Sequence, residues 1–349
     1  MGATAEKSGA MGIGFYGAAR QGRRMLRRLI PDPFLLFLVG TVLLATFAPA
    51  RGGFANVVSW LSLATIVLLF FFHGAKLARE QVIAGLTHWR LHLTILACTF
   101  VLFPIVGLIG SRTLPNLMPR DLWIGILFVC ALPSTVQSAI AFVSMAKGNV
   151  PAAIASASAS QMLGIVLTPL LMGLMVGAHG GGIGLEGVAK IAAQILLPFV
   201  AGHLLRPWIG GWVARHKQIV GVTDRSTILI AVYGAFSAAV IEGLWHKLSP
   251  QALALLFAVD AVLLAIGLTA TWGIGRALGF DRADRIAILF CGTKKSIVQG
   301  VPMAKVLFPG PQTGVILLPI MLFHQMQLMA CAFIARRYAD RIETAEGRE

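Results

Sequence analysis

Acidic residues are scarce: Asp and Glu number 14 among 349 residues, against 29 Lys and Arg. Charged residues make up only 12% of the chain, where soluble domains carry about a quarter, so a water-exposed surface of ordinary size is excluded. Cysteine is sparse, and Cys98, Cys130, Cys291 and Cys331 show no close pairing. A disulfide framework and a zinc site therefore have no support, and the four read as small core residues. Enzyme signatures are also missing. Gly12-Ile13-Gly14-Phe15-Tyr16-Gly17 has the glycine spacing of a dinucleotide turn, but no strand precedes it and no βαβ unit follows. His88 and His92 could share a helix face, yet no further metal ligand accompanies them. With no recognisable nucleophile and base, the chain reads as a non-enzyme.

What is abundant is apolar length. Hydrophobic residues make up 57% and mean hydropathy is +0.81, which together describe an all-α integral membrane protein. A bilayer helix takes about 20 mostly apolar residues. On that measure there are ten spans, at about 33–50, 54–75, 91–111, 122–145, 150–176, 187–207, 223–243, 250–275, 286–308 and 312–335. With a cytoplasmic amino terminus and an even number of spans, 21 basic residues fall inside and six outside. Short cytoplasmic loops are enriched in Lys and Arg, so this topology is self-consistent. Both termini are expected in the cytoplasm, the protein lying in the plasma (inner) membrane.

The net charge of +15 does not imply nucleic acid, because the positive residues alternate with apolar spans instead of forming one patch. Anionic lipid headgroups are the expected partner. The cluster from Lys7 to Arg28 precedes a first apolar run too long for a signal peptide, and reads as a retained inside anchor. Trp60, Trp89, Trp123, Trp208, Trp212 and Trp245 mostly sit near span ends, as interfacial anchors do.

A repeat runs through the chain. Ser134-Thr135-Val136-Gln137-Ser138 recurs 162 residues later as Ser296-Ile297-Val298-Gln299-Gly300, five spans on. An odd number of spans reverses orientation, so two five-helix halves would be related by inverted topology. A second alignment, Val143-Ser144-Met145-Ala146-Lys147 with Val301-Pro302-Met303-Ala304-Lys305, has an offset of 158 and leaves the register open by one helical turn. The resulting organisation is a basic segment 1–32, repeats 33–178 and 179–338 joined near His179-Gly180-Gly181-Gly182, and a tail 339–349. Two small-residue helices can also resemble each other by chance.

Both segments carry backbone breakers: Pro133 in the fourth span, and Gly292, Gly300 and Pro302 in the ninth. Unwound backbone at membrane depth is tolerated only where protein or a water-filled cavity satisfies it. Beside the second break stand Lys294 and Lys295, each costing about 2.5–3.5 kcal/mol at a bilayer centre on insertion scales. Residues that unfavourable usually have a function.

Cys130-Ala131-Leu132-Pro133-Ser134-Thr135-Val136-Gln137-Ser138, then Ala146-Lys147-Gly148-Asn149-Val150 and Leu167-Thr168-Pro169-Leu170-Leu171, resemble the bile acid:sodium symporter family over about residues 30 to 338. The resemblance implies ten helices with crossed, broken fourth and ninth members. It also implies a core of spans three to five and eight to ten, and a panel of spans one, two, six and seven. Sodium would bind beside the crossing, and a small organic anion between core and panel. The chain departs from the sodium-coupled members where their ninth helix carries a glutamate and polar ligands, because Thr293-Lys294-Lys295-Ser296 stands there. An ammonium cannot ligate sodium and repels it. The lysine-bearing version looks more like a divergent, symporter-like branch.

On this reading Pro133, Ser134, Thr135, Lys295 and Ser296 are the expected substrate-binding residues. Those expected to carry ion coupling are Gln137, Ser138, Ser158, Ser160, Gln161, Thr293, Lys294, Gln299 and Asp260, with Ser138, Ser158 and Gln161 as candidate sodium ligands. The serines of Ser156-Ala157-Ser158-Ala159-Ser160 are equally a packing face. One lysine is expected to act as an internal cation in place of sodium, a proton then serving as the coupling ion. An ion pair with Asp260 is the structural alternative, and Asp260 is itself a candidate proton carrier. His324 and Gln327 could line the same core. The functional expectation is a secondary active transporter of a small organic anion; a channel or a non-transporting regulator of ion homeostasis are the other readings. The sequence sets no oligomeric state.

Overall fold

The computed structural model describes residues 33–76, 88–177 and 185–346. The amino-terminal basic cluster with its Gly12 to Gly17 motif, the connector at 179–182 and the end of the tail lie outside the described residues. Among the described residues thirteen helices of nine residues or more follow one another: α1 (Pro33–Phe47), α2 (Gly52–Lys76), α3 (Trp89–Thr113), α4 (Arg120–Ala131), α5 (Gln137–Met145), α6 (Val150–Gly177), α7 (Leu185–Leu204), α8 (Arg206–Arg215), α9 (Lys217–Ile241), α10 (Pro250–Ala277), α11 (Arg282–Thr293), α12 (Ile297–Leu307) and α13 (Gln312–Glu346). No strand occurs among the described residues. Six of the helices, α2, α3, α6, α9, α10 and α13, are long and apolar enough to cross a membrane.

The fourth and ninth expected spans are each divided into two shorter helices. Helix α4 stops because Leu132 precedes a proline and takes an extended conformation, φ −71° and ψ 150°. Helix α11 stops at Lys294, also extended at φ −77° and ψ 144°. Helix α12 restarts at Ser296, whose hydroxyl accepts the Gln299 N–H as an N-cap. Neither Gly292 nor Pro302 makes the second break, for both lie within helix. The pieces α4 and α11 are both 12 residues long, and their starts, Arg120 and Arg282, show the offset that relates Ser134 to Ser296. Across the breaks, 132–136 in one and 294–296 in the other, the shorter second gap reduces that offset. The unequal breaks account for two of the four residues by which the two sequence alignments differ.

Packing divides the helices into two groups. In one, α2 packs against α7 and α9, and α9 against α1. Glycine makes the α2–α7 contact close: a methyl at Gly74 would collide with the Phe199 carbonyl, and one at Gly202 with the Phe71 carbonyl. Lys76 Nζ reaches Asp224 Oδ2 at 3.0 Å, tying the end of α2 to α9. In the other group α4 packs on α3, α6 and α13, and α11 on α3, α5, α6 and α10. The groups meet where α9 lies against α12 and α13, and where α7 lies against α6. Phe103, Phe128, Phe236 and Phe323 are fully buried in the largest apolar cluster. Both breaks lie inside the second group.

Candidate functional site

Each break exposes backbone groups that helix would have satisfied, and at membrane depth every one needs a partner. At the first, the Ala131 carbonyl accepts Thr168 Oγ1 at 2.8 Å and the Ser134 carbonyl accepts Gln161 Nε2 at 2.9 Å. The Ser134 N–H donates to Ser160 Oγ at 3.0 Å. Pro133 brings no N–H, and its ring packs where α6 carries Gly164, a methyl there falling 2.6 Å from the proline Cβ. The Pro133 carbonyl accepts the Ser296 N–H at 2.9 Å. That bond joins the two breaks directly.

At the second break the partner is Gln327 of α13. Its Oε1 accepts the Lys295 N–H and its Nε2 donates to the Lys295 carbonyl, both at 2.8 Å, so one amide replaces the hydrogen bonds of a missing helical turn. Gln327 Nε2 also lies 2.9 Å from His324 Nδ1. Ser296 Oγ receives a bond from Gln161 Nε2 at 3.1 Å, and Gln299 Nε2 donates to the Gln161 carbonyl at 3.2 Å. Gln161 thus bridges both breaks with its amide nitrogen.

The two neighbouring lysines are both fully buried and are placed very differently. Lys295 Nζ donates three hydrogen bonds of 2.9 Å, to the carbonyls of Thr99, Cys130 and Leu132. Cys130 and Leu132 are at the end of α4, where free carbonyls and the negative end of the helix dipole favour a cation. Thr99 belongs to a π-helical stretch, Cys98–Leu102, within α3. There the Phe103 N–H bonds the Cys98 carbonyl, and the next residue, Pro104, has no N–H. The Thr99 carbonyl is left without a helical donor and is free for the ammonium. Charged hydrogen bonds of this kind are worth about 1.5–3 kcal/mol each. The Phe103 ring completes the shell, its centroid 4.3 Å from Nζ.

Lys294 Nζ has no hydrogen-bond partner. Its nearest favourable contact is the Phe142 ring, centroid 4.4 Å away. Asp260 on α10 is fully buried and both of its carboxyl oxygens lack partners, so neither lysine is paired with it.

The structure gathers Pro133, Ser134, Ser160, Gln161, Lys295, Ser296 and Gln299 into one hydrogen-bonded junction. Thr135 Oγ1 and Ser138 Oγ pair with each other at 2.9 Å. Thr293 turns away from the junction to Thr271 on α10, at 3.0 Å. Gln137 is exposed and Ser158 half-exposed, although Gln299, which matches Gln137 in the Ser-x-x-Gln comparison, is buried. Ser138, Ser158 and Gln161 do not converge as a cation cage, because Gln161 presents its amide nitrogen and Ser138 is engaged with Thr135. The oxygens that do converge are the three carbonyls around Lys295. His92 bonds Ser156 at 2.6 Å while His88 lies 3.7 Å from Asp284, so these histidines serve separate contacts. No group of three metal-ligating side chains occurs among the described residues.

Sequence reasoning missed Thr99, offered Gln327 only as a polar group lining the core, and read Thr168 only as part of a motif. Pro104 was a partial signal for the first: a proline frees the carbonyl four residues back, Phe100 in regular helix, and the π-helical register moves that vacancy to Thr99.

The model of the SBF-like CPA transporter family matches residues 32–340. A Pseudomonas aeruginosa protein described as uncharacterized is 54% identical over 319 residues, covering 91% of this chain and 96% of that protein. YfeH of Escherichia coli K12, named as a candidate symporter, is 53% identical over 320 residues, 92% and 96% of the two chains. Sodium/bile acid cotransporter 7 of Rattus norvegicus is 28% identical over 316 residues, 88% and 92%.

Proposed function

The chain belongs to the SBF-like CPA transporter family and is a multi-pass membrane protein; from that premise we propose that it is a secondary active transporter of a small organic anion. The polypeptide crosses the plasma (inner) membrane ten times with both termini cytoplasmic, in two inverted five-helix repeats whose broken helices, α4–α5 and α11–α12, cross at the Pro133–Ser296 contact. The α1, α2, α7, α8 and α9 group is the panel and the remainder the core. Rocking of one against the other alternates access to an anion held beside Pro133, Ser134, Thr135 and Ser296.

The observation that carries this reading is the Lys295 ammonium on the carbonyls of Thr99, Cys130 and Leu132. It occupies the place a coupling cation would take, as a cation that cannot leave. Sodium binding is therefore replaced by a tethered charge, and the exchangeable cation is a proton. Lys294 carries it: an ammonium without an acceptor is unfavourable among apolar groups, and exposure to water in another conformation allows it to charge. Asp260 is the acidic counterpart on α10, its oxygens equally free to take a proton.

The test is uptake of a radiolabelled bile acid, taurocholate, by proteoliposomes under an imposed gradient. A pH gradient drives accumulation and a sodium gradient alone does not. Sodium-driven uptake would refute the tethered-cation reading. Absence of saturable uptake under either gradient, for taurocholate and for simpler carboxylates and sulfonates, would refute organic-anion transport.

A further inference from the structure

A groove runs along the outer side of the core, bounded by α10, α11 and α13 and lined by Leu268, Thr269, Trp272, Leu289, Ile334 and Tyr338. Thr269 and Trp272 are exposed on a helix long and apolar enough to cross a membrane, so the groove opens sideways to lipid. The Thr269 hydroxyl donates to the Ala265 carbonyl of its own helix at 2.7 Å, which leaves an apolar lining between the tips of Trp272 and Tyr338. The volume is about 180 Å³. Sites for compact solutes begin at about 300 Å³, so what fits here is a single hydrocarbon chain.

Both aromatic rings of the lining carry an arginine. The Arg276 guanidinium carbon lies 5.7 Å from the centroid of the Trp272 ring. That of Arg282 lies 6.0 Å from the centroid of Tyr338, whose carbonyl accepts its Nη2 at 3.5 Å. Stacking of this kind steadies a guanidinium and keeps N–H groups at its edge available. Arg276 is in the last turn of α10 and Arg282 is the first residue of α11, so both stand where a span ends and head groups begin. Neither forms an ion pair among the described residues. The acids beside them are engaged: Asp284 accepts Asn149 Nδ2 at 2.7 Å, and Asp281 caps α11 by accepting the Asp284 N–H at 2.8 Å. Two steadied cations therefore lie at the end of an apolar slot.

We propose that this groove is a binding site for an anionic phospholipid, one acyl chain lying along Leu268, Leu289 and Ile334 and the phosphate held by Arg276 and Arg282. Guanidinium groups match phosphate oxygens through paired N–H bonds, and basic pockets between spanning helices take anionic head groups. The basic charge of the chain as a whole attracts any anionic surface; the groove adds a fixed place at which one lipid is held. Leu289 belongs to α11, so the bound chain fastens the helix that leads into Lys294 against α10 and α13. The site owes nothing to the identity of the transported solute.

The test measures thermal stability of the full chain in neutral detergent, titrated with phosphatidylglycerol, with phosphatidylcholine of the same acyl chains, and with inorganic phosphate. Ligands that bind only the folded state raise apparent stability. Phosphatidylglycerol stabilises the wild type, and the other two do not. Arg276→Gln and Arg282→Gln each weaken phosphatidylglycerol binding roughly fivefold and together roughly 25-fold, as loss of one and of two basic contacts to an anionic lipid should. Thr269→Phe, which fills the groove and keeps both charges, weakens it by a similar factor. Arg215→Gln, on α8 and outside the core, leaves it unchanged. Equal stabilisation of the double arginine variant and the wild type would overturn the site, as would equal stabilisation by phosphatidylcholine. Inorganic phosphate matching the lipid would overturn it too, since no chain would then occupy the groove. A loss in Arg215→Gln as large as in Arg276→Gln would reduce the effect to overall charge and reject a fixed place.

Discussion

The two helix breaks do the same thing to the backbone and are repaired in opposite ways. The first, from Leu132 to Val136, contains no charge, and its freed groups are met by side chains from elsewhere: Thr168, Gln161 and Lys295 donate to its carbonyls and Ser160 accepts the Ser134 N–H. The second, from Lys294 to Ser296, supplies that charge, and its own peptide is held by a neutral amide, Gln327. Carbonyls are offered on one side and the cation on the other. A charge inside a membrane is therefore tolerated here because a broken helix already needed a donor. The same comparison separates the lysines, since Lys295 has three acceptors and Lys294 has none.

The substitution that most severely breaks the comparison is Lys295→Met. It keeps the length of the side chain and strands three buried carbonyls, and should destabilise the protein by roughly 3–5 kcal/mol, as removal of one side of a buried charged interaction does. Unfolding of the variant in mixed micelles measures it; a loss below about 1 kcal/mol would mean that the carbonyls have other donors. Next comes Gln327→Leu, which frees one N–H and one carbonyl at Lys295 and should cost about 2–4 kcal/mol. Gln327→Glu restores only the acceptor, so it should recover part of that loss, and full recovery would show that the donated bond is idle.

Thr168→Val sharpens the picture at the first break. The change is nearly isosteric and removes one donor to Ala131, so about 1 kcal/mol should go, read as a shift in denaturant midpoint with unchanged slope. The smallest expected effect is that of Lys294→Met. An ammonium without hydrogen bonds exchanged for an apolar side chain of similar length should change stability by less than about 1 kcal/mol, and an increase is the favoured sign. Destabilisation matching that of Lys295→Met would erase the distinction between the two residues.

Much of this was legible in the chain. Pro133 marked the first break, because the residue before a proline avoids helix, whereas the second was expected from Gly292, Gly300 and Pro302, which all lie within helix, and falls instead at the two lysines. The Ser-x-x-Gln match at 162 residues marked the counterpart, and the lengths of α4 and α11 agree with it. What sequence could not give was direction. Lys294 and Lys295 are adjacent in an extended segment, where successive side chains point to opposite sides, and only the tertiary position of α3 decides which meets the carbonyls. The breaks differ in length, so Gln137 and Gln299 match in sequence while one is exposed and the other buried. Gln327 was legible only as a polar group of the core for a related reason: a glutamine in an apolar helix carries no local sign of the peptide it will bind 32 residues away. The serines at 158 and 160 look alike in the chain, and their different roles follow from the rotation of α6 about its axis.

The reciprocal contact of Gly74 with Phe199 and of Gly202 with Phe71 has a mechanical consequence. Two helices whose backbones touch at two places cannot slide by a residue, because the next Cβ would be driven into a carbonyl. They can be carried only as a single stiff lever. Torque applied anywhere along α7 therefore reaches α2 without slack, and with it the Lys76–Asp224 tie just beyond Gly74. A bulky residue at either glycine would act as a wedge, separating the two arms while leaving every polar bond at the junction in place.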